Sequence, residues 1–212
     1  FCTALRKSLI DGTYRPGKGF KFIVNERGCR RFIRALDPAD MVLQHALCDA
    51  VLLPALTPYL IYDNGASLKG KGMAFTRQRL AAHLREYRRR YGTGGWVLKI
   101  DFAKFFDNIP HDQLIQSIDA KVRDSRIRDL LSMLLAPYSA DVSYTDTDFD
   151  TAPYNSLQDF ETSGLRDGSR VLRRSVGIGA PVSQIAGVWY PTPIDTYAKV
   201  VRSCRYYGRY MD

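Results

Sequence analysis

Two carboxylates close apolar runs in this 212-residue chain. Asp101 ends Val97-Leu98-Lys99-Ile100-Asp101, and is followed by Phe102, Phe105, Phe106 and a Pro110-His111 pair that opens a helix. Asp212 ends Tyr206-Tyr207-Gly208-Arg209-Tyr210-Met211-Asp212. A run of Val, Leu and Ile reads as a buried strand, and a charge at its end is costly unless something cationic compensates it, so a carboxylate there is a candidate metal ligand. The plainer alternative makes Asp101 a turn or helix-starting residue of a strand that ends at the surface. Two oxygen-bound magnesium ions joined to a triphosphate need carboxylates on adjacent strand ends. A ferredoxin-like sheet makes neighbours of strands far apart in sequence, which is how Asp101 and Asp212 would meet. An aromatic five residues past Asp101, here Phe106, could pack under a sugar and exclude a 2′-hydroxyl.

The elements that must position these groups follow in order. Residues 1–34 carry nine Lys or Arg against Asp11 and Glu26. Phe20-Lys21-Phe22-Ile23-Val24 alternates like a strand, Glu26-Arg27-Gly28 reads as its turn, and Arg30 to Ala35 as the returning strand of a basic hairpin. Arg offers bidentate donors to phosphate, so Arg31, with Arg27 or Lys21, is a candidate grip on a triphosphate. Asp37-Pro38 predicts a helix to about Leu53, with Asp37 as N-cap and Met41, Val42, His45, Ala46, Cys48 and Val51 as its apolar face; His45 is expected in the core or at its boundary. The Gly-rich loop from Leu60 to Met73 carries Lys69 and Lys71 but lacks the P-loop pattern. A basic helix from about Phe75 to Tyr91 follows, and its Arg77 and Arg85 are candidate nucleic-acid contacts. Pro110 to about Leu135 predicts helices. Residues 139–162 hold six acids and no Lys or Arg, and read as an irregular insertion. Arg170 to Ser175 resumes a strand, and Val176 to Gln184 forms a glycine-bearing turn before a helix that starts at Ser183.

Composition bounds the function. Thirty-one basic against 22 acidic residues give a net charge of +9 and suit a polyanionic partner, nucleic acid first and a membrane surface second. Four scattered cysteines without a CxxC pair signal neither zinc nor a disulfide framework, which fits a reducing, cytoplasmic setting. No membrane span or signal peptide is expected. The first residue is Phe1 and the last follows a strand-like run, so the chain reads as a piece of a longer protein.

At this point the sequence resembles the reverse transcriptases, specifically the bacterial branch of group II intron, retron and diversity-generating retroelement enzymes, over roughly residues 15–212. Arg31 and, thirteen residues later, Gln44 in Ala39-Asp40-Met41-Val42-Leu43-Gln44 are similar to the intron-type fingers pattern. Val97 to His111 resembles the first catalytic motif. The resemblance implies that Asp101 is a metal ligand, Phe102 a ligand through its carbonyl, and Phe106 the sugar gate. Tyr210-Met211-Asp212 resembles a YxDD motif ending at its first aspartate, which implies Asp212 as the second ligand. Ile178-Gly179-Ala180-Pro181-Val182-Ser183-Gln184 is similar to the [IVL]GxxxSQ form of diversity-generating retroelement enzymes. It implies that Ile178 and Gly179 face the nucleotide, that Ser183 and Gln184 lie on the nucleic acid, and that template adenines are copied unfaithfully. An apolar side chain at position 178 would loosen selection by losing a polar contact.

The resulting expectation is an α+β right-hand polymerase fragment. Fingers would span residues 1–95. The palm would span 96–212, a ferredoxin-like antiparallel sheet packed on helices, interrupted by the acidic insertion 139–162 and lacking a thumb. The implied activity is RNA-directed DNA polymerase: nucleotidyl transfer to a primer 3′ end with two Mg²⁺ ions, for which Mn²⁺ could substitute. The fragment alone is expected to be inactive. Its expected partners are an RNA template, a DNA or RNA primer and deoxynucleotides, with room for an accessory protein and no membrane. The alternatives are a phage-defence or group II intron-type enzyme, and a non-catalytic nucleic-acid-binding palm domain.

Overall fold

A computed structural model describes residues 1–26, 28–142, 154 and 170–211. The chain is α+β, mostly helical with small antiparallel sheets. After helix α1 (Cys2–Ile10), strands β1 (Phe20–Glu26) and β2 (Cys29–Ala35) form the expected hairpin, with Phe20 opposite Ala35 and Val24 opposite Arg31. Helix α2 (Pro38–Leu47) begins as predicted: the Asp37 side chain accepts from the Ala39 amide at 2.9 Å and Pro38 takes the first position. The helix then widens into a π-turn at Cys48–Leu52 before α3 (Leu53–Leu56). Pro54, just past the wide turn, cannot donate the next helical hydrogen bond, which accounts for the change of winding there.

The buried stripe of α2 departs from the predicted one. Asp40, Leu43, Gln44 and Leu47 face inward, whereas His45 and Ala46 are exposed and Val42 is half-exposed. His45 is therefore a surface residue. The reason is that the two polar members of the stripe are satisfied inside. Asp40 accepts from the Tyr14 hydroxyl at 2.5 Å and from the Gly17 amide at 2.8 Å, and the Gln44 carbonyl oxygen accepts from the Val182 amide at 3.4 Å. A hydrogen-bonded polar group can be buried at little cost. The 22-residue run Pro38–Tyr59 holds an 18-residue window of mean hydropathy 1.3, a span's length and composition. Its Leu43, Leu47, Leu52 and Leu56 are instead spent on the protein core.

Helices α4 (Met73–Tyr91), α5 (Phe105–Asn108), α6 (His111–Val122) and α7 (Ser125–Leu135) follow. The core joins the α2–α3 leucines to Leu114, Ile115 and Ile118 of α6, to Leu131, Leu134 and Leu135 of α7, and to Val182, Ile185 and Trp189 of α8 (Pro181–Trp189). One core thus draws on both sides of residue 95. Strands β3 (Ala140–Asp141) and β4 (Val171–Leu172) pair antiparallel, closing the two ends of the acidic stretch. Residues 143–153 and 155–169, most of the expected insertion, lie outside the described residues. Helix α9 (Thr192–Thr196) runs on into a π-turn at Tyr197–Val201, and the final segment after it is, among the described residues, irregular apart from one bridge at Arg209. Cys48 is buried, and burial, with Asp49 nearby, pushes its thiol up to about 12, which makes it inert.

The expected palm sheet is not formed among the described residues. Val97 to Ile100 is irregular and open to solvent, with Trp96 fully exposed and Leu98 83% exposed. Residue 209 pairs instead with Asn64 in an isolated parallel bridge. An apolar run becomes a buried strand only when a neighbour completes its ladder. Without one its amides and carbonyls are better left to water.

Candidate functional site

The residues expected to meet a nucleotide come from three separate stretches, and α8 gathers two of them. Segment 105–111 runs alongside 173–176. The Val176 amide donates to the Phe106 carbonyl (3.0 Å), the Ser175 amide to Ile109 (3.0 Å), and the His111 amide to Arg173 (2.9 Å). Phe106 is half-buried. Its ring packs edge-on against Phe105 at 5.5 Å and lies against Gly187 of α8, where a Cβ would stand 2.9 Å from Phe106 Cζ. Gly187, which sequence reasoning missed, therefore makes the slot that seats Phe106. The Ile178-Gly179 turn follows directly from Val176. A Cβ on Gly179 would lie 3.4 Å from Ile33 of β2, so this turn abuts the hairpin strand that carries Arg31. Both Ile178 and Gly179 are exposed, as is Arg31. Arg27 lies outside the described residues.

Asp101 and Phe102 are exposed on the irregular segment that precedes α5. Phe102 stacks at 5.7 Å on Phe105 and lines an apolar cleft of about 220 Å³ with Phe105, Ile109, Tyr190 and Ile194. Asp212 lies outside the described residues. Among the described residues no three His, Cys, Asp or Glu side chains gather into a metal-ligating group. The donors that the sequence offers, the Asp101 carboxylate and the neighbouring Phe102 carbonyl, are hard oxygens of the kind magnesium takes, and in that respect they fit the metal.

The candidate nucleic-acid residues divide. Lys69, Arg77, Arg85 and Gln184 are exposed. Lys71 turns back on its own loop: its ammonium donates to the Tyr62 carbonyl at 2.6 Å and sits over the rings of Tyr62 and Phe75 at 4.9 and 5.1 Å. Ser183 is 1% exposed, and its hydroxyl donates to the Val176 carbonyl, so it stitches the turn to α8 instead of facing solvent. The helix begins two residues before Ser183, which places this side chain on the inward face of the first turn.

The basic helix α4 buries none of its residues and is held by ion pairs. Asp63, on the Gly-rich loop, accepts from Arg79, from His83 Nε2 at 3.0 Å and from Lys199 at 3.4 Å. Burial pushes the Asp63 carboxyl up, but the bonds from Arg79 and His83 outweigh it and hold the group below its ordinary value. Glu86 pairs with Arg205, and Tyr206 packs between His83 and Tyr87 at 5.9 and 5.6 Å. The same loop carries the final segment: the Arg209 amide donates to the Asp63 carbonyl (2.9 Å) and the Gly65 amide to the Arg209 carbonyl (2.8 Å). Gly65 has no side chain because none fits. A methyl there would stand 1.8 Å from Thr76 Oγ1 and 3.4 Å from Tyr210 Cδ2. Gly65→Ala is expected to destabilise the protein by about 1–3 kcal/mol. Adding Thr76→Ala should recover a large part, since it removes the 1.8 Å clash and leaves the milder approaches to Thr76 Cβ (3.1 Å) and Tyr210 Cδ2 (3.4 Å); thermal unfolding of the two variants beside the parent checks this.

His111 anchors the other side. It is 1% exposed and its Nε2 donates to the Ser175 carbonyl at 2.5 Å. Burial, only partly offset by that carbonyl, pushes the imidazole down to about 4 from its ordinary 6.5. The unfolded chain therefore binds a proton that the folded chain refuses between those values. Stability is full above about pH 6.5 and falls as the pH drops toward 4, by about 3 kcal/mol at roughly 1.4 kcal/mol per unit. Urea titrations between pH 7 and 4.5 should show this slope, and His111→Gln, which keeps a donor for Ser175 and cannot titrate, should flatten it.

No family model and no curated protein matches the chain. What the described residues bring together is pairwise: Phe106 against Gly187 of α8, the 178–179 turn against Ile33 of the hairpin, and Arg209 of the final segment bonded to the Val188 carbonyl of α8.

Proposed function

We propose that this chain is the fingers and palm of an RNA-directed DNA polymerase of the diversity-generating retroelement kind. One observation supports this most. Hydrogen bonds lay segment 105–111 along 173–176, and the Gly179 turn that follows approaches Ile33 of the hairpin, so three stretches distant in sequence are linked through successive contacts. On this reading Arg31 grips the triphosphate, the Phe106 ring lies under the sugar and rejects a 2′-hydroxyl, and Ile178 gives the base an apolar neighbour that discriminates weakly. Asp101, the Phe102 carbonyl and Asp212 would hold magnesium, which supplies charge against the triphosphate and the primer oxygen. Lys69, Arg77 and Arg85 follow the template and primer backbone.

Primer extension by the full-length polypeptide, on RNA and on DNA templates with Mg²⁺ or Mn²⁺, tests the reading. Incorporation of deoxynucleotides on the RNA template is expected. No incorporation with either ion, while RNA binding persists, would leave a nucleic-acid-binding module in place of the polymerase. Binding itself should weaken steeply with salt. If about four phosphates are contacted, raising salt from 50 to 200 mM should cost on the order of a hundredfold in affinity. A flat response in a fluorescence-anisotropy titration would remove α4 from the interface.

A further inference from the structure

Arg209 is the most heavily bonded side chain of the final segment, and neither the catalytic nor the nucleic-acid assignments use it. It is 7% exposed and lies against Asp195, which is fully buried. The guanidinium donates through Nε to both oxygens of Asp195 (3.1 and 3.0 Å) and through Nη2 to Oδ2 (2.9 Å). Nη2 also donates to the Val188 carbonyl of α8 at 2.7 Å, and Nη1 to the Met211 carbonyl at 2.6 Å. Tyr207 completes the set by donating its hydroxyl to Asp195 at 2.7 Å. The backbone of residue 209 is clamped separately by Asp63 and Gly65. Met211 has φ +64°, a left-handed conformation that a non-glycine side chain adopts only when its surroundings impose it.

A buried ion pair adds little net stability, because desolvation consumes most of the attraction. The return on this one is geometric. A planar fork of fixed shape ties α9, α8 and the carbonyl of Met211 to one another, and only an arginine has donors for all three at once. Val188, which receives one of these bonds, is the neighbour of Gly187, which seats Phe106.

We infer that Arg209, oriented by Asp195 and Tyr207, is a positioning residue that fixes the left-handed turn at Met211, the residue that in sequence immediately precedes the carboxylate proposed as the second metal ligand. The inference rests on the polymerase reading for the role of Asp212, but the placement of the turn can be measured without activity.

The test uses the full-length polypeptide and three variants. The double variant Arg209→Met with Asp195→Leu removes both charges and leaves none stranded. Arg209→Lys keeps a cation but cannot fork. Tyr207→Phe removes one bond to Asp195. Hydrogen exchange of the 205–212 peptide is the first readout. It should quicken at least tenfold in the double variant and in Arg209→Lys, with exchange in α8 unchanged, and quicken less in Tyr207→Phe. The second readout is Mn²⁺ binding followed by electron paramagnetic resonance, where the dissociation constant should rise about tenfold. The third is nucleotide incorporation, with kcat down about a hundredfold and KM for deoxynucleotide within threefold. Parental exchange and parental Mn²⁺ affinity in folded variants would overturn the inference. Should the double variant fail to fold, Arg209→Lys decides by the same two measurements. A parent chain that incorporates nothing while the exchange result holds would overturn the polymerase reading and leave the positioning role standing.

Discussion

On the polymerase proposed above, Asp101→Asn should lower the rate of nucleotide incorporation on the order of a thousandfold and leave the melting temperature and RNA affinity where they were. The substitution keeps the shape of the side chain and removes its charge. A carboxylate that holds a divalent cation against a triphosphate contributes several kcal/mol to the transition state, and about 4 kcal/mol corresponds to that factor. The unchanged stability is the other half of the prediction. Asp101 is exposed on an irregular segment and supports no part of the core, so its loss has nothing structural to disturb. Single-turnover extension measured alongside calorimetry separates the two effects. A variant with full activity would remove Asp101 from the site, and a variant that loses stability in step with activity would make it a folding residue.

Arg173→Met should cost about 3–5 kcal/mol of stability. Arg173 Nη1 lies 2.9 Å from Asp112 Oδ1, with the aspartate side chain fully buried and the arginine 14% exposed. Truncating the cation removes the guanidinium that offsets a carboxylate held in the interior. The double variant Arg173→Met with Asp112→Leu should recover most of the loss, because neither desolvated charge then remains. Urea unfolding of both checks the sign of the coupling. The functional consequence is specific. The Arg173 carbonyl receives the His111 amide, two residues from the Ser175–Ile109 bond and three from the Val176–Phe106 bond. Loosening this edge frees Phe106, so on the polymerase proposed above the Arg173→Met protein should also admit ribonucleotides more readily than the parent does.

The parts of the fold that were legible in the sequence are those whose signal is local. Alternation across Phe20–Val24 with a Glu-Arg-Gly turn specifies a hairpin. Asp37-Pro38 specifies a helix start, and the apolar spacing of Ile115, Ile118, Leu131 and Leu134 specifies two core helices. What was not legible depends on partners far along the chain. The stripe of α2 was misplaced because Asp40 and Gln44 count as surface residues until Tyr14, Gly17 and the Val182 amide are seen to satisfy them. Ser183 was assigned outward because its seven-residue loop back to Val176 has no periodic signature. Asp63 and Asp195 are single acids without motif or period, and only the folded chain shows that each collects cations or donors from several elements. Val97–Ile100 failed in the opposite direction. Its composition states a preference for burial, but burial of a strand is a property of two segments, and one of them is never in the local sequence.

That exposed segment has a consequence for handling the protein. Trp96-Val97-Leu98-Lys99-Ile100 combines high β-propensity with open backbone groups, and Lys99 is its one charge. Such a stretch is a ready template for cross-molecular strand pairing, and a lone lysine is the gatekeeper that opposes it. Solubility on storage will therefore be governed by concentration and by ionic strength, which screens that lysine, well before the core melts.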